Sequence, residues 1–497
     1  MRAMLKLYPH TAPSHSKRLV RLCLLATLGL SACGSLMRDS VLTPISSSNN
    51  PSVHAWVTTT DRSKLLAREV DVVFTNAGSL PDNIDVDSSV HYQQMVGFGA
   101  AITDASAWLI EKKMNTTQRA DLLQELFGSA PGLGLSFTRL TIGASDFSRT
   151  HYSFDDVAPG QTDTNLSHFS IDANRSEVLP LVKSALELNP KLRVMSSPWS
   201  APGWMKTTDS LIKGSLRPEA YEAYTEYLLR YIEAYAKEGV PIYAITLQNE
   251  PHFEPGDYPG MRIDPDARAR LIGNYIGPRM AQRGLNTLIL DWDHNWDEPS
   301  SPLAVLADKT ASNYVNGVAW HCYAGEVGAQ TKVHDAYPEK DVYFTECSGG
   351  EWESPSNDGL TWLTRNVIIG SSRGWAKGVL FWNLALDENH GPHLGGCGNC
   401  RGVVTINTST GEVTRNPEYY ALAHASRFVR TGAHRIDSST LPGKLDTVAF
   451  QNADDDSLVL IASNSTNEIR HFSVRYAEQS FQYELPAKSV ATFIWQP

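Results

Sequence analysis

The chain has 497 residues, 42% of them hydrophobic and 20% charged, with a formal charge of −11 at pH 7. That length exceeds what one small core organises, so one large domain with a smaller companion is expected. The acidic balance argues against a nucleic-acid partner, whose phosphates select a basic footprint, and no zinc-finger, phosphate-loop or Gly-x-Gly-x-x-Gly pattern is present.

The first segment reads as an address rather than as part of a fold. Arg2, Lys6, Lys17, Arg18 and Arg21 precede an apolar stretch, Leu22 to Leu30, too short to cross a bilayer core of roughly 30 Å as a helix. A secretory signal over residues 1–32 is the expectation, and its removal leaves the chain more acidic still. It ends Leu30-Ser31-Ala32-Cys33-Gly34, similar to the bacterial lipobox, where cleavage exposes a cysteine that then takes lipid. An ordinary small-residue cleavage site is the alternative. Residues 33–52, rich in Ser, Asn and Pro, read as a flexible tether. The expected location is the cell envelope, anchored by lipid at Cys33 on the outer membrane, or the secreted fraction.

Residues 53–90 carry a β-like run, Glu69 to Phe74. From about residue 91 to 429, short apolar strands alternate with helical stretches. The strands are Val96 to Phe98, Phe137 to Leu140, Leu192 to Met195, Ile242 to Leu247, Thr287 to Leu290, Gly317 to Trp320, Val342 to Thr345 and Val379 to Trp382. The spacing predicts helices from Ala105 to Phe127, Glu177 to Leu188, Pro218 to Glu238, Pro265 to Gln282, Leu360 to Arg373 and Pro417 to Phe428, with weaker signals from Ser300 and Gln330. Eight alternations are the count of a (β/α)8 TIM barrel; a doubly wound sheet also alternates, but it usually carries a phosphate-binding first turn that is missing here. Residues 430–497 return to short β runs, Val448 to Phe450, Leu458 to Ile461, His471 to Val474 and Ala491 to Ile494. Because β segments flank the barrel, the N-terminal one is expected to join the C-terminal one in a single all-β sandwich domain, 53–90 plus 430–497.

Two strands of the barrel end in glutamate: Thr246-Leu-Gln-Asn-Glu250-Pro and Tyr343-Phe-Thr-Glu346-Cys. A carboxylate at the end of a buried strand is costly to desolvate unless it has a partner or a task. Two in one chain suggest the acid and nucleophile of a glycosidase, and in a barrel they meet at one mouth. Structural ion pairs are the plain alternative for each.

Six strings, in order along the barrel, resemble glycoside hydrolase family 30, particularly its glucosylceramidase-like branch. They are Gly97-Phe-Gly-Ala-Ala-Ile-Thr-Asp-Ala105, Ala144-Ser-Asp-Phe-Ser148, Ser197-Pro-Trp-Ser-Ala-Pro-Gly-Trp-Met-Lys206, Gln248-Asn-Glu-Pro251, Thr345-Glu-Cys347 and Trp382-Asn-Leu-Ala-Leu386. The resemblance implies a (β/α)8 barrel with a β-sandwich and retaining hydrolysis of β-glycosides without cofactor or metal. It implies Glu250 as acid/base and Glu346 as nucleophile. Asp104, Trp199, Asn249 and Trp382 match sugar-holding positions, and Arg139 and Tyr323 match residues beside the nucleophile. On physical grounds, Arg139 and the Tyr323 hydroxyl should favour the charged form of Glu346, while Glu250 starts neutral. Each residue also has a plainer reading. Asp104 suits a helix N-cap, the tryptophans a core, Arg139 another buried acid, and His321 a hydrogen-bonded core histidine as readily as a supporting role.

Of six cysteines, Cys397 and Cys400 lie in a Gly-rich loop, where a local disulfide suits an exported protein better than a lone metal-binding pair. Cys322 stands where animal glucosylceramidases carry tryptophan, and the loop His390 to Val404 also departs from the animal pattern. The leading expectation is a β-glucosidase of glucosylceramide or related β-glucosides, with an endo-β-1,6-glucanase as the alternative. A carbohydrate-binding barrel without turnover is the reading from another class.

Overall fold

The computed structural model describes residues 51–76, 78–353 and 358–497. Eight strands pair in parallel, each with its sequence neighbours, and close on themselves: β1 (Gly97–Ile102), β2 (Phe137–Ile142), β3 (Arg193–Pro198), β4 (Ile242–Thr246), β5 (Leu288–Asn295), β6 (Val315–His321), β7 (Asp341–Glu346) and β8 (Ala376–Asn383). Helices cover the outside, so each strand is buried on both faces over most of its length and carries a short apolar run.

The expected helices are present with three local differences. The stretch from Ala105 to Phe127 is two helices, Asp104–Lys113 and Thr116–Phe127, because Asn115 and Gln118 form a reciprocal capping box that starts a second helix. The helical segments from Pro265 and from Gly359 each contain a wider turn, Ile272–Ile276 and Thr364–Gly370.

The β domain forms around a sheet that uses both ends of the described chain. Ser52–Thr59 runs antiparallel to Ser489–Trp495, and Asn83–Gln94 lies between His434–Ser438 and Arg470–Tyr476. Phe74, Phe472, Phe481, Phe493 and Trp495 fill its core. Two expected boundaries move. Ser52, assigned to the tether, opens the first strand, and Asn83–Gln94 continues past residue 90. His424, on the barrel's last helix (Pro417–Ser426), contacts the hydroxyls of Thr58 and Thr492 at 2.9 and 2.8 Å. Burial holds this imidazole neutral, its pKa lowered to about 3, as a fixed dock between barrel and sheet. Residues 1–50, with the expected signal and Cys33, lie outside the described residues.

Candidate active site

Alternate side chains along a strand share a face, so a position facing into the barrel recurs every second residue. One inward layer is apolar: Phe137, Met195, Ala244, Leu290, Ala319, Tyr343 and Leu380, supplied by β2 to β8. Two residues nearer the C-terminal ends, the same strands offer Arg139, Ser197, Thr246, His321, Thr345 and Trp382. The apolar layer is a floor, and the chemistry stands on it.

Arg139 is fully buried and uses its whole fork. It donates to Glu346 Oε2 at 2.5 Å, to Asn249 Oδ1 and Asp293 Oδ2 at 2.7 Å each, and to Ser197 Oγ at 3.2 Å. Asp293 is the hub. It accepts further bonds from Ser197, Thr246 and Thr345 at 2.7 Å each and faces His321 Nε2 at 3.0 Å. The other ring nitrogen of His321 lies 3.1 Å from Glu250 Oε1, and the Tyr323 hydroxyl donates to Glu346 Oε1 at 3.0 Å. One polar chain therefore joins the two glutamates.

Irregular backbone aims these groups. Between β5 and β6 the register slips so that Trp292 pairs with Ala319 and His294 with Trp320, leaving Asp293 as an extra residue. Trp292 and Asp293 have φ of 78° and 55°, the left-handed signature of a bulge that turns a side chain. A similar slip between β8 and β1 leaves Trp382 unpaired with β1; its N–H bonds instead to Cys347 O at 2.9 Å. Glu250 itself sits at φ 48°, a conformation costing a non-glycine residue about 1 to 2 kcal/mol. Its N–H is held by Asp293 O at 3.0 Å. Strain retained at such a residue is a mark of function.

Glu250, Glu346, Asn249, Trp199, Trp382 and Tyr323 all line one open cavity of about 560 Å³ at the C-terminal ends of the strands. Trp199 and Trp382 stack on each other at 4.9 Å, with the Arg139 guanidinium 4.8 Å from the Trp199 ring centre. Asp104 is not part of that wall. Thr103 rather than Asp104 caps the following helix, and both oxygens of Asp104 bind Arg149, at 2.9 and 2.8 Å. Asp146 lines the cavity instead. It lies in the Ala144–Ser148 string, which carried the signal without the residue being singled out. Burial, then repulsion from Glu346 and Glu250, pushes its carboxyl well above the usual range, which makes it a hydrogen-bond donor as well as an acceptor. Asp293 was also missed, although Asp291-Trp-Asp-His-Asn295 follows an apolar run just as the two glutamates do.

The protonation pattern corrects one expectation. Arg139 and Tyr323 contact Glu346, yet burial, reinforced by Glu250, outweighs Arg139 and His321, so the pKa of Glu346 is raised. Glu250, despite its own burial, is lowered by His294 and His321. Burial also opposes the charge on His321, but Glu346, Asp293 and Glu250 lift it to about 9. His321, 3.1 Å from Glu250, is thus the group of this cluster whose affinity for a proton is raised into the alkaline range. Glu250, His294 and His321 bring donor atoms within 4.8 Å of one another. With a carboxylate facing each nitrogen of His321, this cluster is built to hold a proton rather than a cation.

Two disulfides border the mouth. Cys397 is bonded to Cys400, and both line the cavity. The sequence left Cys322 as a small wall residue. In the fold it is bonded to Cys347, tying together the residues that follow His321 and Glu346. Only the adjacency of β6 and β7 reveals that pair.

Comparison with known proteins agrees with this geometry. The glycosyl hydrolase family 30 TIM-barrel model matches residues 95–429, and the family's β-sandwich model matches 432–493. The chain belongs to glycoside hydrolase family 30. It is a glycoside hydrolase, with the barrel and all-β domain of that family. Its relatives include endo-1,6-beta-D-glucanase neg1 of Aspergillus fumigatus, 33% identical over 97% of each chain. Putative glucosylceramidase 2 of Caenorhabditis elegans is 30% identical over 89% of each. Among solved structures, the endo-beta1,6-glucanase BT3312 superposes with a TM-score of 0.83 at 32% identity, covering 90% of this chain and 99% of that one.

Proposed function

We propose that this family 30 enzyme is an endo-β-1,6-glucanase that cleaves with retention of the anomeric configuration. The observation that carries the chemistry is the meeting of Glu250 and Glu346 in one cavity, joined through His321, Asp293 and Arg139. The substrate rests on similarity. Relatives named as β-1,6-glucanases are 33 to 36% identical to the chain, whereas those named as glucosylceramidases are 27 to 30% identical. The order expected from the sequence is therefore reversed, and glucosylceramide becomes the second reading.

In the first step the sugar packs on the Trp199–Trp382 stack, with Asp146 and Asn249 beside its hydroxyls. Its arrival excludes water, and the proton on His321 moves to Glu250, then to the departing glycosidic oxygen. Once Glu250 is neutral its repulsion of Glu346 is gone. Arg139 and Tyr323 then stabilise an ionised Glu346, which bonds to the anomeric carbon. In the second step Glu250, now ionised, takes a proton from the water that displaces Glu346, and return of that proton from Glu250 to His321 restores the enzyme. Such double displacement requires carboxyl groups about 5 to 5.5 Å apart.

Incubation with a linear β-1,6-glucan and with glucosylceramide tests the substrate. Mixed oligosaccharides from the glucan are expected; glucose release from glucosylceramide with no attack on the glucan would reverse the proposal. NMR of the first-formed product tests retention, and an initial α-anomer would refute it. Export as a lipoprotein belongs to the same reading, supported by the basic, apolar and lipobox-like order of residues 1–34. Palmitate labelling lost in Cys33→Ala is the expected result, and label-free wild-type protein would overturn it.

A further inference from the structure

Among the described residues, four aromatic side chains are exposed: Phe253, Tyr323, Trp352 and Trp362. Scattered apolar residues on a surface need no explanation, but these four are not scattered. Phe253, Tyr323 and Trp352 line the catalytic cavity, while Tyr323, Trp352 and Trp362 line a second cavity of about 290 Å³. Tyr323 and Trp352 form a wall common to both. The smaller cavity is not used by the mechanism above.

Three features mark it as built for a polar ligand with flat apolar faces. Ser348, only 7% exposed, lines the cavity, and its buried hydroxyl has no hydrogen-bond partner among the described residues; a buried polar atom left unpaired calls for one. The Trp352 ring lies against Gly350, where any Cβ would meet ring carbons at 2.0 Å, so glycine is required for the ring to lie flat. The loop under Trp352 is also tied down. Gly350 pairs with Cys400, Glu351 N–H bonds to Asn399 O at 3.0 Å, and Arg401 N–H bonds to Gly349 O at 2.9 Å. A tryptophan fixed this way keeps its face open without losing entropy on binding. Glu353 and Asp358 also line the cavity, the first paired with Arg401 and the second with Thr361 and Lys488.

We infer that the cavity of Trp352, Trp362 and Ser348 is an outer sugar-binding site, which holds a glucose unit of the polysaccharide away from the bond being cleaved. The inference rests on the proposed glucanase function and deepens it. Internal cleavage needs grip on units beyond the reacting one, and this cavity shares two aromatic walls with the reacting site. An alkyl chain of a glucolipid is the competing occupant. The unpaired Ser348 hydroxyl favours a sugar, since an alkyl chain would leave it without a partner.

Kinetics of Trp362→Ala on a β-1,6-linked glucose hexamer and on an aryl β-glucoside read the site directly. The hexamer-to-aryl ratio of kcat/KM is expected to fall about tenfold, mostly through the hexamer KM, with Trp362→Phe restoring most of it. An unaltered ratio overturns the inference. So does a loss confined to long-chain alkyl glucosides, which would assign the cavity to lipid. Calorimetry on Glu346→Gln with β-1,6-, β-1,3- and β-1,4-linked hexamers separates the two proposals. If another linkage binds and Trp362→Ala weakens it, the site stands while the β-1,6 assignment falls. Equal affinity for a hexamer and a dimer of every linkage refutes the site itself.

Discussion

Two layers of the same barrel, two residues apart on the same strands, have opposite characters. The floor is hydrophobic and closed: Phe137, Met195, Ala244, Leu290 and Leu380 are fully buried, and they pack without polar partners. The layer above holds Arg139 and His321, with Asp293 and Glu346 one residue further along their strands, also buried, as a connected ionic network. Burial in the floor stabilises the fold. Burial in the upper layer costs stability and is tolerated because it shifts pKa values and fixes donors before substrate arrives. A mutation in either layer removes a buried side chain, but the consequences separate.

The largest effect on turnover is expected from Glu346→Gln, a nearly isosteric change that deletes the proposed nucleophile. It should lower kcat by about four orders of magnitude with thermal unfolding little changed; residual wild-type turnover would remove Glu346 from the mechanism. Asp293→Asn comes next. It strips the shared partner from Arg139 and His321, so kcat should fall about 100- to 1,000-fold and stability by about 3 to 5 kcal/mol, measured by denaturant unfolding. An unaltered pH–rate profile in that variant would show that Asp293 does not set the protonation of the pair.

His321→Asn sharpens the comparison through pH. Because the folded-state pKa of His321 is raised to about 9, its contribution to stability is complete below the unfolded value of about 6.5. That contribution is lost as pH rises through 9. In wild-type enzyme kcat/KM should decline over the same alkaline window as the proton available to Glu250 is lost. The variant should lose about tenfold at neutral pH and move the alkaline limb downward. A limb that stays in place would assign it to another group.

Leu380→Ala, in the floor, should leave kcat within about twofold while costing about 2 to 5 kcal/mol of stability. Loss of turnover comparable to that of Asp293→Asn in still-folded protein would mean that the floor, too, takes part in setting the site.

Much of this contrast was legible in the chain. The eight strands were visible because parallel strands covered on both faces are apolar along their length, and Glu250 and Glu346 stood out as carboxylates ending such runs. Where a strand turns polar as it enters the mouth, pattern fails. The run read as Thr287 to Leu290 is in fact Leu288–Asn295, and its polar half contains Asp293. Asp104 was singled out through the family resemblance, and Asp146 was not, although it lies in one of the matching strings. Only the placement of Arg149 against the first and the cavity beside the second distinguishes them.

By itself, then, the sequence determined the alternation of strands and helices and the union of the two terminal β segments, and it marked two glutamates that follow buried strands. These follow from local apolar periodicity and from the cost of burying charge, both written along the chain. Tertiary structure decided which groups share a proton, which cysteines pair, and where the exposed tryptophans form a second cavity. Those outcomes depend on register slips and strand adjacency, which bring residues more than a hundred positions apart within hydrogen-bonding distance, as with Arg139 and Glu346.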